Sequence, residues 1–245
     1  MLQLIDKLNE MRLHGMAKSL EQQMRGTLYD ELSFKERFEM LTEGEYLYRK
    51  NRQLQLLLTK ARFRYKDACL EEIDFRTGRG ITKSSILELA ENRWIGDKRN
   101  LIVSGPTGTG KTYICCAIGN SACRSGIKTM YVRLPRLLQE IRIARADGTY
   151  INILKRLSKI ALLIIDDWGL APFSDIEGRD FLEVIEDRYN IRSTMIVTQF
   201  PVDKWHEIIG DPTIADAICD RLVHNAYHIK LTGDSMRKIM AENEH

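Results

Sequence analysis

Residues 105–112 read GPTGTGKT, a G-x-x-x-x-G-K-T run that few folds can accommodate. Leu101, Ile102, Val103 and Ser104 precede it as a short run suited to a buried strand. YICCAIGNSACRSG follows it and reads as a helix ending near Gly126. Gly105, Gly108 and Gly110 allow the backbone to turn its N–H groups inward around a chain of phosphates. The positive end of the following helix dipole points at the same charge. Lys111 supplies a point charge for the β- and γ-phosphates, and the Thr112 hydroxyl is an expected Mg²⁺ ligand. Gly105, Pro106, Thr107, Gly108, Thr109, Gly110, Lys111, Thr112 and Tyr113 are therefore the expected phosphate cradle.

The 245 residues suffice for one large domain, or for a standard domain with a small one attached. Hydrophobic residues make up 44% and charged residues 29%, a globular balance, and no apolar run is long enough to span a bilayer. The opening MLQLIDKLNEMRLHGM carries acids and no signal-peptide core, so a cytoplasmic protein without a membrane partner is expected. The five cysteines form no C-x-x-C pair and read as reduced thiols.

Residues 1–66 read as a small all-helical domain. Leu4, Leu8 and Met11, then Met16, Leu20 and Met24, recur at helical spacing, with a break expected at His14-Gly15 and an end at Gly26-Thr27. Ser33 with Glu36 forms a capping-box pattern ahead of a long helix from Phe34 to about Ala61. Residues 67–245 read as the second domain. Its lead-in holds a loop around Asp74 and Gly78-Arg79-Gly80 and a helix over 84–93, with Ile81 as a candidate base contact. From residue 100, strand-like segments at 101–104, 128–133, 161–166, 194–198 and 227–231 alternate with helical ones. That alternation predicts an α/β fold with a five-stranded, mostly parallel sheet. Ligands of such sheets lie beyond the strand C-termini.

The strand ends carry the chemistry. The third ends in Asp166-Asp167 after four apolar residues, a Walker B pattern. Asp166 is expected to hold Mg²⁺ and Asp167 to act as general base on the attacking water. The fourth ends in Thr198-Gln199, and Gln199 is suited to hold that water or the γ-phosphate. Arg221, in AICDRL, is suited to stabilise charge on a transferring phosphoryl group, in cis or from a neighbouring subunit.

Together GPTGTGKT, LLIIDDWG, MIVTQF and the DRL arginine resemble an AAA+ P-loop ATPase of the initiator and helicase-loader group. The stretches LNEMRLHGMAKSL, ARFRYKDACLEEIDF and GDSMRK are similar to the IstB family, helper ATPases that accompany a transposase in insertion sequences. The resemblance implies ATP and Mg²⁺ as cofactors and self-association into an ATP-dependent oligomer. It places Gln199 as sensor 1, Arg221 as an intersubunit arginine finger and Arg237 as a possible sensor 2 that binds the nucleotide. Two departures matter. Asp167 stands where most relatives have Glu, so slow hydrolysis is expected. Only 14 residues follow the last strand-like segment, so no full C-terminal helical lid is expected.

Two stretches are strongly basic. Residues 49–66 carry seven basic residues and no acid, and 133–159 carry seven against two acids, although the whole chain is only +3. Either is a solvated face or a surface for the phosphates of double-stranded DNA, with Arg62, Arg64, Arg142, Arg145 and Arg156 as candidate contacts. Tyr150 is the one aromatic within 133–159, which argues against sequence reading by that stretch. Reversing Arg142 and Arg145, or Arg62 and Arg64, to Glu is expected to flatten the salt dependence of DNA binding and spare ATP binding. The resulting expectation is an ATPase that assembles on duplex DNA and helps a transposase use its target. A DnaC-like helicase loader and an ATP-gated DNA scaffold with negligible turnover are the alternatives.

Overall fold

The structure is a computed structural model that describes residues 2–75 and 78–236. The chain divides into two compact units, 1–56 and 57–245. The expected sensor-2 residue Arg237, and the expectation about a C-terminal lid, fall on residues 237–245, outside the described ones.

In the smaller unit, α1 (Leu2–Glu10) packs on α2 (His14–Arg25), and α3 (Phe34–Ala61) begins in this unit. Ser33 caps α3 reciprocally with Glu36, the Glu36 carboxylate accepting from the Ser33 N–H at 2.8 Å. The expected break into two short helices falls at residues 11–13, just before His14-Gly15, which lie in the first turn of α2. Gly15 serves close approach instead: a Cβ there would stand 2.4 Å from the Gly44 carbonyl oxygen on α3. The approach lets the Glu45 carboxylate accept from the Gly15 and Met16 N–H groups at 2.7 and 3.1 Å, satisfying free donors at the start of α2.

Residues 57–66, which by their helical pattern are expected in the N-terminal domain, fall in the larger unit, where Ala61 and Phe63 are buried. This unit is built on a parallel sheet of β1 (Asn100–Ser104), β2 (Thr129–Arg133), β3 (Leu162–Trp168), β4 (Ser193–Thr198) and β5 (Ala226–Lys230), in the order β2-β3-β4-β1-β5. All five strands fall where the apolar runs predict them. The lead-in helix is shorter than expected: α4 (Lys83–Ala90) is capped by Thr82, and a separate turn α5 (Arg93–Gly96) follows. α6 (Lys111–Arg124) packs against β1 to β4. Alternate strand residues Ile102, Met130, Val132, Leu163, Ile165 and Ile196 form a core with side chains of α7 (Leu134–Asp147), α8 (Tyr150–Ser158), α9 (Asp175–Glu186), α10 (Trp205–Ile209) and α11 (Pro212–Val223). The break between α7 and α8 falls at Gly148, as expected. Such runs are apolar on both faces because the sheet is covered on both.

One buried cation anchors the sheet. Arg188 is 1% exposed and donates to the carbonyls of Leu157, Ile160 and Ser193 and to the Thr194 hydroxyl. It ties the segment leading into β3 to the start of β4. Burial pulls its guanidinium down to about 9, and it remains protonated at neutral pH. No helix among the described residues is long and apolar enough to cross a membrane.

Candidate functional site

The loop between β1 and α6 has left-handed φ at Gly108 (+88°) and Gly110 (+86°), a region that residues bearing a Cβ rarely occupy. Lys111, the first residue of α6, folds back over it. Its ammonium donates to the carbonyls of Gly105 (2.7 Å) and Pro106 (2.8 Å). Burial pushes this ammonium below its ordinary range, with Asp166 working the other way. Lys111 is 9% exposed, buried against the loop rather than projecting from it.

Thr112, one residue on, points its hydroxyl at β3 and donates to Asp166 Oδ2 at 2.9 Å. The same oxygen accepts from the Tyr131 hydroxyl of β2 at 2.7 Å, while Oδ1 accepts from the Asp167 N–H. Asp166 is 2% exposed, so three donors compensate a carboxylate removed from water. Burial, and then Asp166, push the Tyr131 hydroxyl well above its ordinary range.

Adjacent residues of a regular strand face opposite sides, so two neighbouring carboxylates would not both reach one site. The register explains how they do. Ile165 pairs with Ile196, but Trp168 pairs with Thr198, so three steps on β3 oppose two on β4. This bulge re-aims the chain, and Asp167 takes a left-handed φ of +62°. Its carboxylate forms an ion pair with Arg133 at the end of β2. Trp168 then returns to the core against Trp205, Phe181 and Phe173, fixing the bulge from below. Just past β4, Gln199 accepts from the Thr107 hydroxyl at 2.7 Å, joining the fourth strand end to the loop.

These residues line one cavity of about 640 Å³. It gathers Thr107, Gly108, Gly110, Lys111, Thr112, Tyr113, Asp166, Asp167 and Gln199, all expected from sequence. Arg64, Tyr65, Glu72, Ile73, Arg79 and Met236 also line it, and sequence reasoning does not give them this place. The Tyr113 hydroxyl donates to Glu72 at 2.8 Å; burial and this carboxylate push it up to about 12. Ile81 is buried and lies outside the cavity lining, whose apolar side chains include Tyr65, Ile73, Ile114, Val197 and Met236. Arg64, expected on a DNA surface, lines this cavity.

The remaining arginines lie elsewhere. Arg221 is absent from this cavity, pairs with Glu186 and donates to the Ala217 carbonyl at 2.9 Å. Arg145 pairs with Asp180 and lies 4.0 Å from the Tyr150 ring centroid. Arg156 donates to Glu140 at 2.8 Å. Arg142 is exposed and makes no ion pair among the described residues, and Arg62 is exposed just past the end of α3.

A parallel sheet ordered β2-β3-β4-β1-β5, with a glycine loop after β1, paired aspartates after β3 and a polar residue after β4, defines an AAA+ P-loop fold. Solved structures agree. DnaI superposes with a TM-score of 0.58 at 23% identity, covering 73% of this chain and 94% of that one. The DnaC helicase loader gives 0.57 at 18% identity, over 68% and 97%. The chain belongs to the IstB-like ATP binding protein family, whose sequence profile matches residues 6–243. It is 44% identical over 234 residues to the insertion sequence ATP-binding protein y4pL of Sinorhizobium fredii, covering 96% of this chain and 95% of that protein. It is 43% identical over 197 residues to the ATP-binding protein of insertion sequence IS1162 of Pseudomonas fluorescens, covering 80% and 85%.

Proposed function

We propose that this chain is an ATPase that binds ATP with Mg²⁺, assembles into an oligomer on duplex DNA without much sequence preference, and helps a transposase use its target. The observation that carries the reading is the meeting of Thr112 and Asp166 beneath Lys111, in a chain whose relatives are insertion-sequence ATP-binding proteins. A neutral hydroxyl beside one buried carboxylate is an oxygen donor set suited to Mg²⁺, which keeps waters and phosphate oxygens for its other positions. Lys111, held only by loop carbonyls, is free to exchange them for phosphate. Asp167 would take the proton of the attacking water, Gln199 would hold that water, and Arg221 would serve a neighbouring subunit. That role for Arg221 suits its position outside its own cavity. When bound, the metal would neutralise charge developing on the phosphates.

Arg142 and Arg62 are the arginines best available to DNA, since Arg145 and Arg156 already have carboxylate partners. The second reading, a DNA scaffold gated by ATP with negligible turnover, draws support from the Arg133–Asp167 ion pair, which occupies the expected base. One experiment tests the main reading. Binding to two unrelated duplexes is measured across a salt series with ATP, without it, and with the Lys111→Ala variant. The expected result is near-equal affinity for both duplexes, a steep salt slope of about −0.9 per phosphate contact with ATP, and weak binding in the other two cases. Equal binding by Lys111→Ala removes the ATP-gated reading. Phosphate release in the same samples separates the ATPase from the scaffold.

A further inference from the structure

Arg79 reaches the nucleotide cavity through an arrangement that no motif announces. Its backbone is bound to the chain leaving β5: the Thr232 N–H donates to the Arg79 carbonyl at 3.0 Å and the Thr232 hydroxyl to that of Gly78. From this fixed base its guanidinium spans two loops. Nη1 donates to the Asp74 carbonyl, and Nη2 donates to the Thr109 carbonyl at 2.8 Å. Thr109-Gly110 is the turn by which the phosphate loop enters α6. Gly110 has a left-handed φ of +86°, and a Cβ there would stand 2.9 Å from Nη2, so the guanidinium end lies close against the glycine backbone.

The acceptors of these two hydrogen bonds are backbone carbonyls, which carry no net charge. Burial lowers the Arg79 pKa, countered in part by the field of Asp74. Beside Lys111 and Arg64, a further cation is thus held partly out of water in the lining of the same cavity. A polyphosphate is the chemistry that relieves such a charge.

We propose that Arg79 is a positioning residue for the nucleotide. It holds the Thr109-Gly110 turn in the curvature that aims its N–H groups at phosphates, and it adds positive charge to the same cavity, favouring di- and triphosphates over shorter ligands. The inference rests on the ATP-binding reading above.

The test uses the full chain as wild type, Arg79→Lys and Arg79→Ala. Adenosine, AMP, ADP and ATP each compete for a fluorescent adenine nucleotide in the presence of Mg²⁺. A charge-assisted hydrogen bond contributes about 1.5–3 kcal/mol, roughly a 10- to 150-fold change in affinity. Arg79→Ala should lose affinity for ADP and ATP in that range and change less than about threefold for adenosine, while Arg79→Lys falls between. A merely structural arginine would lower all four ligands together. An equal loss along the series, or no loss at all, overturns the inference. If thermal melting shows Arg79→Ala to be unfolded, Arg79→Lys and Arg79→Gln carry the comparison by the same criterion. Failure of the wild type to bind ATP would remove the functional reading itself, a result distinct from wild-type binding that Arg79 does not influence.

Discussion

Replacing Arg133 by Ala tests whether the ion pair at the end of β2 restrains the expected base. The Arg133 side chain is 52% exposed and that of Asp167 18%, so the pair is half in water. Exposed pairs contribute about 0–1 kcal/mol once screening and side-chain entropy are counted. Asp167 raises the Arg133 pKa chiefly through their hydrogen bond, but at this exposure that shift does not convert to a larger stability. Loss of the pair should therefore lower the melting temperature by no more than about 2–4 °C for a unit of this size. The same free energy bounds the kinetic effect. Releasing a carboxylate held by at most about 1 kcal/mol should raise turnover by no more than about fivefold, since 1.36 kcal/mol is tenfold in rate. The assay is steady-state phosphate release at saturating ATP, with wild type and variant compared across ionic strength. Salt screens an exposed pair, so wild-type turnover should approach that of Arg133→Ala as salt rises. A fall in turnover of tenfold or more would refute the reasoning, because it would make Arg133 part of the machinery rather than a restraint on it.

Three further outcomes are expected. Arg221→Ala and Lys111→Ala proteins, each inactive alone, should recover phosphate release when mixed, because an intact loop can receive Arg221 from a neighbour; no recovery under conditions where subunits exchange would place Arg221 in a structural role with Glu186. Arg188→Met should lower stability by at least about 3 kcal/mol in urea unfolding, since it leaves buried carbonyls without donors; a change under about 1 kcal/mol would show that the four contacts are dispensable. Alkylation followed by mass spectrometry at pH 8 should modify Cys69 and Cys219 well before Cys115, Cys116 and Cys123. Burial pushes Cys116 up to about 11 and Cys115 well above its ordinary range, so the attacking thiolate is scarce there. Equal rates at all five would show that the core around α6 opens readily.

Much of this protein is legible in its amino-acid sequence. The phosphate loop, the apolar strands, the paired aspartates and Gln199 follow from local chemistry, because strand, turn and helix propensities act over a few residues. Strand ends of a parallel sheet must converge on one edge, so naming the strands is enough to name the residues that meet there. The Ser33–Glu36 cap and the break at Gly148 are local in the same way. Tertiary structure decides what depends on distant partners. Only register shows that a bulge on β3 lets Asp166 and Asp167 both line the cavity, since sequence spacing alone would send them to opposite faces. Only packing shows that Gly15 admits α3, that Lys111 is buried, that Arg133 holds Asp167 and that Arg221 rests on Glu186. Arg64 reads as part of a basic run and Arg79 as loop filler, yet both line the cavity, because a charge finds its function from the groups folding brings beside it.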